Sequence, residues 1–200
     1  MGKVKGMSTV AWDEGVWLNP PHAIEYVGTQ MLVTAAKESD FWRNTSYGFV
    51  HESAHALLVN FPDKSSIEVS FILDFNGSFD QAGLILYSDM EHWTKAGFEF
   101  SDGVIQLGAV VTDVNSDWSV APIHEWFGRE VSVRASRDGN AVTIRAKVAG
   151  EDEPWRLVRL LPIDPNLNWQ AGPHFAAPVR EGLVVRFTCF DTGEADSTLH

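Results

Sequence analysis

Two neighbouring stretches decide the reading of this chain: Phe79-Asp-Gln-Ala-Gly-Leu-Ile-Leu-Tyr87 and Trp93-Thr-Lys-Ala-Gly-Phe-Glu99. Successive side chains of a β-strand point to opposite faces. As strands, they put Ala82, Leu84, Leu86, Thr94, Ala96 and Phe98 on one side. Gln81, Gly83, Ile85, Tyr87, Trp93, Lys95, Gly97 and Glu99 lie on the other. The first face is core. The second carries an amide, a phenol, an indole, an amine and a carboxylate, with glycines clearing space between them.

Outward from that pair, short apolar or alternating runs recur, each closed by Gly, Asp, Asn, Ser or Pro. No helical period is sustained and no repeat recurs at fixed spacing, so the pattern is all-β. Ile24–Val27 and Met31–Ala35 form a hairpin about Gly28. Ser66–Phe75 alternates cleanly and ends at Asn76-Gly77, a hairpin-type turn. Arg129–Ser136 and Ala141–Val148 pair across Asp138-Gly-Asn140. Ser39–Gly48, Val114–Pro122 and Pro162–Pro178 read as loops. About ten to twelve strands then stack as two antiparallel sheets.

Length and composition agree. A chain of 200 residues fits one domain and can remove on the order of 70% of its unfolded surface from water. Residues 8–190 are expected to form it, with 1–7 an N-terminal extension and 191–200 a flexible acidic tail. The formal charge of −12, with no Lys/Arg cluster, excludes a nucleic-acid binder and disfavours anionic membranes. No apolar run has the length of a transmembrane helix or the form of a signal peptide, which leaves a cytoplasmic location as the expectation. The single Cys189 cannot form an internal disulfide and reads as a small buried hydrophobe.

Six segments then occur in a recognisable order: Asp40-Phe-Trp-Arg43, Phe79-Asp-Gln-Ala-Gly83, Trp93-Thr-Lys-Ala-Gly-Phe-Glu99, Val110-Val-Thr112, Ser116-Asp-Trp-Ser119 and Trp155-Arg-Leu-Val-Arg159. Together they resemble the domain of unknown function 1349 family, concanavalin A-like proteins that include the yeast "regulation of enolase" protein. The resemblance spans residues 8 to 190. It implies a jelly-roll sandwich with a concave face, as in the lectins and glucanases of that fold. It implies little about activity, because that superfold hosts sugar binders, glycosidases and inert domains alike. The link to enolase is an association within the family and is not carried onto this chain.

Sugar binding needs aromatic planes for the apolar face of a pyranose and polar groups for its hydroxyls. Trp42, Tyr87, Trp93 and Trp118 are the candidate planes. Arg43, Gln81, Lys95, Glu99, Asp117 and Arg134 are the candidate polar contacts. The plainer role for each tryptophan is to cap the sandwich. Their sharing of a face with charged residues favours a groove that holds a carbohydrate or similar polar ligand. Glycoside hydrolysis is the alternative, with Glu99 and Asp117 as its carboxylates. The Glu-x-Asp-x-x-Glu strand of laminarinase-type enzymes is absent, since Arg43 stands where the second Glu would follow Glu38-Ser-Asp40. Lys95 and Arg134 are competing partners for Glu99. A regulatory protein-interaction module using the same groove is the third reading. His51 and His55 have a metal-like spacing but no Glu-x-x-His context, and no metal or cofactor is expected.

Overall fold

A computed structural model describes residues 6–150, 152 and 154–197. The chain forms two large antiparallel sheets and one two-stranded hairpin. The seven-stranded sheet runs, edge to edge, through Asn115–Pro122, Val104–Asp113, His92–Ser101, Gln81–Asp89, Gln170–Ala176, His55–Asn60 and Val16–Leu18. The eight-stranded sheet runs through Arg156–Pro162, Ala141–Val148, Glu130–Asp138, Ser65–Ile72, Val184–Glu194, Gln30–Thr34 and Ala23–Val27. Met7–Thr9 pairs with the far end of Val184–Glu194. The two large sheets hold more strands than ten to twelve because Met7–Thr9 and Val16–Leu18 carry too short a pattern to be read, and Asn115–Pro122 and Gln170–Ala176 lie in stretches read as loops. One short 3-10 helix, His124–Trp126, is the helical element among the described residues, and none of them forms a helix long and apolar enough to cross a membrane.

Alternation builds the core. Ile67, Val69 and Phe71 point inward from one sheet, and Ala82, Leu84, Leu86, Ala96 and Phe98 from the other. Phe71 and Phe187 of the eight-stranded sheet interlock with Phe98 and Phe175 of the seven-stranded one. Their ring centroids are 5.6 to 6.0 Å apart, at tilted or edge-on angles. Such contacts add about 1 kcal/mol each beyond simple burial.

Four expectations are corrected here. Asn76-Gly77 is not a hairpin turn: Ser65–Ile72 and Gln81–Asp89 lie in different sheets, so residues 73–80 cross between them. Leu73 and Phe75 are buried along that crossing, and the Gly77 N–H donates to the Asp80 carboxylate at 3.0 Å. Pro162–Pro178 contains a central strand, Gln170–Ala176, despite Gly172-Pro173. Pairing with His55–Asn60 lapses between Ala171 and His174, where proline has no N–H to give. Within Val114–Pro122, Asn115–Pro122 forms an edge strand, with Asn115, Asp117 and Ser119 exposed and Ser116 buried. Residues 191–194 complete the last strand, and the Asp196 carboxylate joins Arg134 and Arg145 at 2.7 and 2.8 Å, so this part is no loose tail. Residues 198–200 and 1–5 lie outside the described residues.

Candidate functional site

The outer face of the seven-stranded sheet is divided in two. Antiparallel register sets Lys95 opposite Ile85 and Val110, and Glu99 opposite Gln81 and Gln106. Trp118 stands opposite Val110 on the edge strand. At one end Ile85, Tyr87 and Trp93 join Phe41, Trp42, Ala56 and Leu58 in a second apolar cluster outside the sandwich. Its roof is the hairpin of Phe41–Arg43 and Val50–Glu52. At the other end Gln81, Lys95, Glu99, Val110 and Trp118 line a groove of about 400 Å³, with Trp118 the exposed member of the five.

The hairpin is pinned beside its turn. The Arg43 N–H donates to Ser116 Oγ at 2.9 Å, its guanidinium pairs with Glu52 and Glu91 at 2.8 and 3.1 Å, and Asn44 Nδ2 donates to Asn115 Oδ1 at 3.0 Å. Its tip turns tightly, with Asn44, Ser46 and Gly48 all at positive φ. This turn aims Tyr47 and Phe49 at the groove. Rings then run in sequence along the rim: Trp118 against Trp42, Trp42 against Tyr47, Tyr47 stacked on Phe49, Phe49 against His51. Phe79, held at φ 61, faces the same space.

Beneath the rings lies a polar floor. Lys95 Nζ donates to Asp40 Oδ1 at 2.7 Å and to Gln81 Oε1 at 2.8 Å. Glu99 is partly covered, and its Oε1 is out of solvent contact with no hydrogen-bond partner among the described residues. Burial pushes the Glu99 carboxyl up, and only partly do the Lys95 ammonium and a hydrogen bond from Ser101 draw it back. Beside it Gly97 sits between Gly83 and Gly108. A side chain at Gly97, whose φ is +151, would strike the backbone of Ala82 and Gly83, so the floor here is bare main chain. Behind this row lies His174, whose ring burial depresses far below the usual histidine range, with Lys95 adding to the effect.

Five of the ten residues expected at the site converge on it: Trp42, Gln81, Lys95, Glu99 and Trp118. Trp93 is fully buried under the hairpin, 5.3 Å from Phe41, and offers no plane to a ligand. Tyr87 is packed at the roofed end, and Arg43 anchors the hairpin beside its turn. Arg134 belongs to the other sheet, where Glu68 and Asp196 engage it. Asp117 alternates with Trp118 and therefore lies on the face opposite Glu99, pairing with Arg159 at 2.9 Å. Glu99 and Asp117 cannot flank one cleft. The sequence reading missed Asp40, Tyr47, Phe49, His51 and Phe79 as lining groups. Asp40 and Phe79 were in view as motif ends; the others sat in a stretch without periodicity. His55 lies behind the groove, with Nε2 accepting from the Ala36 N–H and Nδ1 bonded to Asn19 O.

Two stacked antiparallel sheets with a groove on the outer face of one define an all-β sandwich. The chain belongs to the family described as protein of unknown function (DUF1349), whose model matches residues 17–195. It is 33% identical over 175 residues to Regulation of enolase protein 1 of Saccharomyces cerevisiae, covering 88% of this chain and 87% of that protein. A crystal structure of a functionally unknown protein from Saccharomyces cerevisiae superposes with a TM-score of 0.87 at 30% identity, over 94% of this chain and 100% of the other. A xylan β-1,4-xylosidase from Bacillus halodurans C-125 matches at TM-score 0.68 and 16% identity, over 97% of this chain and 40% of the enzyme. That likeness concerns the fold alone.

Proposed function

We propose that the groove is a non-catalytic binding site for a carbohydrate or similar polar ligand. One observation carries the reading: a ring-lined wall and an incompletely satisfied polar floor face each other across about 400 Å³. That volume suits a small ligand, and the pairing of flat apolar surface with hydrogen-bonding groups suits a pyranose. Trp118 is 40% exposed and edge-on to Trp42, which leaves ring surface free for stacking. The likeness to a xylosidase domain is compatible with a sugar ligand but adds only fold.

A cytoplasmic setting is part of the same proposal. Cys189 Sγ donates to Asp191 Oδ2 at 3.0 Å, and burial, then that hydrogen bond and the carboxylate's charge, push its thiol up to about 12. The thiol is thereby kept protonated and unreactive. The acidic balance argues against nucleic-acid and membrane partners.

The test is a panel of mono- and oligosaccharides titrated into the protein, followed by tryptophan fluorescence and by calorimetry. Because the chain has eight tryptophans, a Trp118→Phe variant separates the groove signal from the rest. Binding that perturbs the wild-type signal and not the variant's supports the reading. Absence of heat and of spectral change across the panel ends it.

A further inference from the structure

Hydrogen-bonding capacity on the groove floor is lopsided. Lys95 gives two of its protons to Asp40 and Gln81, and the Gln81 amide is turned toward Asp40 Oδ1 and Phe79 O at 3.4 and 3.3 Å. The floor's donors are largely engaged by the protein itself. Its acceptors are not. Glu99 Oε1 meets no donor among the described residues. Neither does Nε2 of His174, a residue 2% exposed. His174 Nδ1 contacts His55 O at 3.2 Å, and a carbonyl only accepts, so Nδ1 carries the proton and Nε2 a lone pair. His174 and Glu99 line a small hollow beside Gly97 and Gly108 that shares Lys95, Glu99 and Trp118 with the main groove. The indole N–H of Trp93, also without a partner among the described residues, is under the hairpin, away from this lining.

Charge is lopsided in the same sense. Glu38, Asp40 and Glu99 line the groove against one lysine, and Asp40 already neutralises that lysine. Trp42, Tyr47 and Trp118 stand above, and ring faces attract cations. Unsatisfied acceptors, surplus negative charge and aromatic walls all select the same chemistry.

We propose that the groove takes an amino sugar with a free ammonium group, which donates to Glu99, in preference to a neutral or N-acetylated sugar. This rests on the carbohydrate reading given above. An ammonium offers three donors and no acceptor, and a charge-assisted N–H···O bond is about twice as strong as a neutral one. Acetylation removes the charge, leaves one N–H and adds a carbonyl that would face acceptors.

The experiment titrates the full chain with three β-1,4-linked tetramers of equal length: glucosamine, N-acetylglucosamine and glucose. The glucosamine tetramer binds about tenfold more tightly than the other two, the preference shrinks with added salt, and Glu99→Gln abolishes it. If the glucose or N-acetylglucosamine tetramer binds as tightly, the ammonium assignment is wrong while the carbohydrate reading stands. If no tetramer binds, both fall. A preference that survives Glu99→Gln marks general attraction of a polycation to an acidic protein and overturns the proposal.

Discussion

The ammonium of Lys95, on the third strand of the seven-stranded sheet, lies 2.7 Å from the carboxylate of Asp40 at the foot of the roofing hairpin. This contact joins the two halves of the outer face: one partner belongs to the floor, the other to the roof. The ion pair is largely shielded from water, with 8% and 21% of the two side chains exposed. Removing one member of a buried pair leaves a charge uncompensated, at a cost of about 3–5 kcal/mol. Lys95→Ala is expected at the lower end, since Asp40 keeps some solvent contact and a hydrogen bond from the Phe41 N–H. The Asp40 contact thus gives Lys95 a part in the fold as well as in the groove lining. Urea denaturation of Lys95→Ala and of Lys95→Met with Asp40→Leu checks it. The double variant should recover most of the loss. A single-variant loss below about 0.5 kcal/mol, the scale of a surface pair, would contradict the assignment.

Glu99 should cost the fold stability at neutral pH. Its carboxyl is raised by burial, so the folded state resists ionisation more than the unfolded chain does. Stability is therefore highest below the ordinary carboxyl value of 4.5 and falls as pH rises through the raised one. Glu99→Gln should melt higher than wild type at pH 7, and the gap should close below about pH 4.5. Lys95, Asp40 and Asp102 act on this carboxyl, so the comparison is made in the wild-type background. A variant that melts lower at pH 7 would show that Glu99 supports the fold.

The buried imidazole of His174 acts in the opposite direction. Its value in the fold is depressed, by burial first and then by Lys95, so the neutral ring is favoured. The stability it contributes is complete above about 6.5 and drains away as pH falls below that point. His174→Leu should flatten the acid limb of a melting-temperature profile below pH 6.5. Part of the slope should persist, because His55 is depressed by burial too. Parallel profiles for variant and wild type would rule this out.

Phe98 tests the sandwich core. It is 1% exposed and touches Phe71 across the sheets and Trp126 at the short helix. Phe98→Ala should cost about 3–5 kcal/mol, read from chemical denaturation. A cost below about 1 kcal/mol would mean the packing collapses into the gap.

The alternation in Phe79–Tyr87 and Trp93–Glu99 was enough to separate core from outer face, because that property is local to the strand. What covers the outer face is not local. Trp93 and Trp118 look equivalent as letters, yet one is sealed beneath Phe41 and the other stands on an open edge. The difference is made by a hairpin some fifty residues earlier in the chain, whose strands are too short to show a period. Asp117 was misassigned for a related reason. Without knowing that Asn115–Pro122 is a strand, nothing in the sequence forces Asp117 and Trp118 apart. Gly172-Pro173 misled because proline in a strand interior is a sound warning, which a lapse in pairing at that point overrides. Arg134 lies in a strand whose alternation was legible, but its membership of the other sheet is a matter of topology.

The central claim is that ring surface at the groove edge holds a sugar. Calorimetric titration of wild type and Trp118→Ala with the oligosaccharide that gives the largest fluorescence response tests it most directly. Trp118 stands at an open edge, so its removal should leave the melting temperature little changed. The account predicts about tenfold weaker binding or worse in the variant, as expected for loss of an aromatic anchor. Equal affinity in the two proteins would contradict it.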